Sequence, residues 1–122
     1  MLRAGPLSLF LHGVLEYAAG VVLIAAPFLF EFDSDAATAL SIIVGVVVLA
    51  LTASTVAPTG LAKVVPVEIH AVVDFALAVL LIAAPFLFGF SDNGTPTAFF
   101  IVVGVVHLLL TIATRFREPR PA

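Results

Sequence analysis

Cysteine is absent from this 122-residue chain, which excludes disulfides, thiolate metal sites and thiol catalysis. Tryptophan is absent too, and a single tyrosine stands beside eleven phenylalanines. Charge is scarce: charged residues make up 11% of the chain against 62% hydrophobic residues, and the mean hydropathy is +1.26. A water-soluble globule with so little polar surface cannot cover its core, so the bilayer is the natural solvent. Five basic residues split among three short segments argue against nucleic-acid binding and offer at most a contact with lipid headgroups. Hydrolase and transferase motifs are missing as well. Ser8, Ser41 and Ser54 have no histidine and carboxylate at a recognisable spacing, and there is neither a glycine-rich phosphate loop nor an HExxH pattern.

What the chain has is apolar length. Crossing the hydrocarbon takes roughly 20 apolar residues per helix, and four such stretches lie near 7–30, 36–57, 66–88 and 96–115. Arg3, Lys63, Arg115, Arg117 and Arg120 fall at the two termini and between the second and third stretches, whereas Glu31, Asp33, Asp35 and Asp92 fall in the other two loops. Four spans with both termini on one side reproduce this segregation, and the basic side is expected to be cytoplasmic. The first stretch follows Arg3 and contains Ala18 and Ala19, as a signal peptide does. Its length, and its internal twin at 69–90, argue instead for a span.

That twin is the strongest pattern in the chain. LHGVLEYAAGVVLIAAPFLFEF at 11–32 returns 58 positions later as IHAVVDFALAVLLIAAPFLFGF at 69–90. The second and fourth stretches correspond as well, one residue further apart, as IIVGVVVLALT at 42–52 and IVVGVVHLLLT at 101–111. Two copies of a two-span hairpin are expected, both entering the membrane in the same sense: residues 1–57, a linker at 58–65, and residues 66–122. The fold class implied is all-α, a four-helix membrane bundle of parallel-related hairpin repeats with cytoplasmic N- and C-termini.

Pro6 and Pro66 suit first helical turns. Pro27 and Pro85 fall near the outer ends of the first and third spans, where the missing N–H should bend or end the helix. Phe28, Phe30, Phe32, Phe86, Phe88 and Phe90 are then expected at the outer interface as an aromatic girdle. Gly13, Gly20, Gly45 and Gly104 offer close-packing surfaces within or between chains.

At LIAAPFLFEF and LIAAPFLFGF the chain resembles the SPW-repeat family, small membrane proteins whose repeat is a pair of transmembrane helices with a Ser-Pro-Trp motif late in the first. The corresponding residues are Ala26-Pro27-Phe28 and Ala84-Pro85-Phe86: proline and an aromatic are kept, serine and tryptophan are not. The resemblance covers nearly the whole chain and implies a fold and a membrane location, without an activity.

The candidate site is a set of ionisable residues inside the spans. His12 and Glu16 are four apart, as are His70 and Asp74, so each pair shares a helix face. His107, which replaces Val48 of the first copy, reaches a similar depth from the other direction. A charge at the bilayer centre costs about 2.5–3.5 kcal/mol on insertion scales, so these groups should face the bundle, with Tyr17 available for a hydrogen bond to Glu16. Three readings compete for this polar layer: mutual satisfaction that fixes how the hairpins pack, a proton or cation relay carried by Glu16 and Asp74, and a metal or haem site on the imidazoles. The sequence itself assigns no cofactor, no metal and no catalytic residue. The reading it favours is a non-enzymatic protein of the inner membrane, structural or regulatory, with lipid as its surroundings and a homo-oligomer or another membrane protein as its partner.

Overall fold

The computed structural model describes residues 6–114, so Arg3, Arg115, Arg117 and Arg120 lie outside the described residues. Four helices run in order: α1 (Leu9–Leu29), α2 (Asp35–Ala53), α3 (Val67–Leu87) and α4 (Gly94–Ala113). Each is long and apolar enough to cross a membrane, and no strand is present among the described residues beyond two isolated bridges.

Local sequence sets where the helices start. Ser8 caps α1 by accepting from the Leu11 amide at 3.2 Å, and Ser34 caps α2 by accepting from Ala37 at 3.1 Å. Pro6 therefore stands outside α1, not in its first turn, because Ser8 takes the capping position and Leu7 is held by its amide on the Ala113 carbonyl at 2.9 Å. Pro66 likewise occupies the N-cap of α3, one step ahead of the first turn.

The helix ends explain the prolines. α1 and α3 each continue two residues past proline, then close with Phe30 bonded to Ala26 and Phe88 to Ala84. Glu31 (φ 51°) and Gly89 (φ 76°) follow in the left-handed region, and the amides of Phe32 and Phe90 reach back to the carbonyls of Pro27 and Pro85 at 3.1 and 3.0 Å. This is a Schellman turn, used identically in both copies. It overturns part of the expected girdle. Phe28, Phe30, Phe86 and Phe88 are exposed, but the reversal folds Phe32 (9% exposed) and Phe90 (2%) into the core against Phe100.

Proline also frees a carbonyl one turn earlier, since no N–H at 27 can bond to Leu23. The Ser41 hydroxyl of α2 donates to that oxygen at 2.5 Å, as a neighbouring helix must where no water is present.

Within each hairpin the helices touch at a small residue. A Cβ added to Gly45 would lie 2.8 Å from the Gly20 carbonyl oxygen, and one added to Gly104 would lie 3.1 Å from that of Ala78, the repeat equivalent of Gly20. α1 packs closely on α2 and α3 on α4, while the hairpins meet each other more thinly, α2 on α3 and α1 on α4. Apolar side chains such as Leu23, Val44, Val48, Leu81 and Phe100 fill the half of the bundle towards the hairpin loops. The half towards the linker holds the polar residues.

The linker folds back over that end: Leu61 and Ala62 donate to Ala53, Val56 donates to Val65 at 2.8 Å, and Lys63 Nζ bonds the Ala57 carbonyl at 2.6 Å. Thr55 bridges Val65 ahead of α3, and Thr114 bridges Leu7 ahead of α1 in the same way. Each repeat's tail thus holds the other's head.

Candidate functional site

Every predicted member of the polar layer is buried, none more than 5% exposed: His12, Glu16, His70, Asp74 and His107. They converge because α1 and α3 turn their i, i+4 pairs towards the same point between the hairpins. His12 Nε2 lies 2.9 Å from Asp74 Oδ2 and 3.2 Å from Glu16 Oε1, and His70 Nε2 lies 2.5 Å from Glu16 Oε1 and 3.1 Å from Asp74 Oδ2. Nitrogen and oxygen alternate around a closed ring. Its shorter contact, for each histidine, is with the carboxylate of the other repeat.

The far side of each imidazole is fixed in the same crossed manner. His12 Nδ1 meets Thr114 Oγ1 at 2.7 Å, and His70 Nδ1 meets Thr55 Oγ1 at 2.6 Å. Both threonines also donate to the carbonyl four residues back, Leu110 at 2.6 Å and Leu51 at 2.5 Å. A threonine hydroxyl carries one hydrogen, and here it is given to the carbonyl, so the oxygen accepts from Nδ1–H. Nε2 is therefore the nitrogen turned to the ring: protonated, it donates to the carboxylates, and deprotonated it presents a lone pair there. Thr52 adds a weaker contact to Glu16 Oε1 at 3.2 Å while donating to Val48.

His107 breaks the pseudo-twofold symmetry. Its Nε2 stands 3.3 Å from Asp74 Oδ1 and 3.7 Å from Glu16 Oε2, and these three buried atoms have no hydrogen-bond partner among the described residues. These three atoms meet only through longer ion-pair contacts, the least tightly held part of the cluster.

Tyr17 does not serve Glu16. Its hydroxyl donates to the Thr59 carbonyl at 2.8 Å, pinning the linker to α1, where Thr59 lies against Gly13 so closely that a Cβ there would collide with it. A narrow cleft with room for roughly one water opens beside Thr59 and reaches His12 and His70. A porphyrin does not fit between the imidazoles, because both carboxylates already occupy the space between their Nε2 atoms. Pro27 and Pro85, the other residues singled out, lie at the opposite end and take no part.

The threonines were missed in the sequence although a signal exists: Thr52-x-x-Thr55 and Thr111-x-x-Thr114 close α2 and α4 at equivalent repeat positions. The aliphatic surroundings hide them.

Four membrane-capable helices around a buried polar ring define a small multi-pass membrane protein. Residues 10–114 match the SPW repeat domain, and the chain belongs to that family. Comparison with curated proteins and with solved structures gave no match.

Proposed function

We propose that the protein is a non-enzymatic component of the inner membrane with a structural or regulatory role, its linker and termini facing the cytoplasm, in which the polar ring is the joint between two hairpin repeats. The observation that carries this reading is the crossing of bonds. His12 of the first repeat engages Asp74 and Thr114 of the second, and His70 of the second engages Glu16 and Thr55 of the first. Each ring histidine reaches its carboxylate and its threonine only when both repeats are in register. The orientation is supported by Lys63 in the linker and by acidic residues in both hairpin loops.

A relay across the membrane would need a second leg towards the hairpin loops. Among the described residues the only buried polar side chain there is Ser41, and its hydrogen is committed to Leu23. The test is proton flux into vesicles reconstituted with the full chain. Glu16→Gln combined with Asp74→Asn is expected to leave pH-driven flux at the level of the unsubstituted protein, and a sharp fall with insertion intact would replace the joint by a relay.

A further inference from the structure

The ring holds more than a joint requires. Its four edges of 2.5 to 3.2 Å describe two imidazole nitrogens alternating with two carboxylate oxygens, and the ligand atoms of His12, Glu16, His70 and Asp74 all lie within 4.8 Å of one another. Edges this short are well under twice the roughly 2.0–2.2 Å bonds that nitrogen and carboxylate oxygen make to zinc, so one ion can reach neighbouring corners of the ring together. Glu16 Oε2, Asp74 Oδ1 and His107 Nε2 make no hydrogen bond of good geometry and meet only through ion-pair contacts of 3.3 and 3.7 Å beside the ring.

We infer that His12, His70, Glu16 and Asp74 form a binding site for one divalent first-row transition-metal ion, with His107 against the outer oxygens of both carboxylates, an assignment that goes beyond the structural role above. The tautomer is already set for it. Nδ1–H of each ligand histidine is held by a threonine oxygen whose own hydrogen is given to the backbone, the outer-shell arrangement that aims Nε2 at a metal. Two carboxylates balance the two positive charges, so the loaded site adds no net charge to the bundle core. Imidazole in the ligand set selects zinc, copper, nickel or iron over magnesium and calcium. The small cleft beside Thr59, lined by both ring histidines, lies at the linker end of the site.

The experiment uses the full chain in detergent, stripped with a chelator and titrated with Co²⁺ and then Zn²⁺. One Co²⁺ per chain is expected, with visible ligand-field absorption that Zn²⁺ displaces. His12→Gln with His70→Gln should weaken binding by at least about 100-fold. Thr55→Val with Thr114→Val, which keeps every ligand, should weaken it by roughly 10-fold or more. His107→Val installs the residue of the first repeat and should change the band intensities, because both ligand carboxylates lose the neighbour of their outer oxygens. Absence of bound metal in the helical, unsubstituted protein overturns the site. Binding undiminished in the double histidine variant overturns it as well, by moving the metal to the acidic hairpin loops, and unchanged bands in His107→Val remove that residue from it. Either failure leaves the joint between repeats to be judged separately by the energetics of the His12–Asp74 pair.

Discussion

Removing both partners of the His12–Asp74 contact should cost clearly less than the two single removals added together. The two side chains are 2% and 0% exposed and 2.9 Å apart, and they come from different repeats. Breaking a buried pair from one side leaves an uncompensated charge and typically costs 3–5 kcal/mol. Here the lower end applies. When His12 becomes Leu, Asp74 keeps His70 at 3.1 Å and His107 at 3.3 Å, so we expect about 3 kcal/mol for His12→Leu and a similar loss for Asp74→Leu. The double variant should recover about 2 kcal/mol relative to the sum of the two single losses. Reversible unfolding in mixed micelles with chelator present measures all four corners of the cycle. A coupling at or below about 0.6 kcal/mol, the average of interhelical polar pairs measured in a membrane protein, would refute the view that this contact joins the repeats.

Glu31→Gly should stabilise the protein by about 1 kcal/mol, because glycine takes the left-handed conformation without the Cβ clash and already does so at Gly89; a lowered melting midpoint would show that Glu31 is held for another reason. Ser41→Ala leaves the Leu23 carbonyl without its donor and should cost about 1–3 kcal/mol in the same micelle assay, whereas a neutral result would mean that the backbone finds another donor. Gly45→Leu forces a side chain against the Gly20 carbonyl and should open the first hairpin, seen as a lowered midpoint; tolerance of leucine there would contradict the close crossing. Since the chain has no cysteine, Lys63→Cys and Ser91→Cys are clean single reporters: impermeant thiol reagents applied outside intact cells should label position 91 and spare 63, and the reverse pattern would invert the topology.

The number of spans and their pairing into hairpins were legible because both rest on long-range regularities, apolar length and a repeat of 58 residues. The depth of His12, Glu16, His70, Asp74 and His107 was legible for the same reason: helical rise converts residue number into height. What a helix face cannot reveal is which neighbour it meets. Sequence spacing pairs His12 with Glu16, yet its shorter contact is with Asp74, 62 residues away on α3. Tyr17 adjoins Glu16 in sequence but points to the linker, since successive residues on a helix face differ by about 100°. Phe32 and Phe90 look like interfacial aromatics until the left-handed residue before each of them reverses the chain.

The crossed partnership of the repeats has a consequence for each repeat alone. A lone hairpin carries a ring imidazole, a carboxylate and a terminal threonine whose partners lie on the other hairpin, so a single repeat on its own would favour pairing with a second copy. Two copies in one polypeptide need not stay identical. Val48 and His107 use that freedom: a symmetric pair of identical hairpins would bring two such histidines to the centre, where this chain places one.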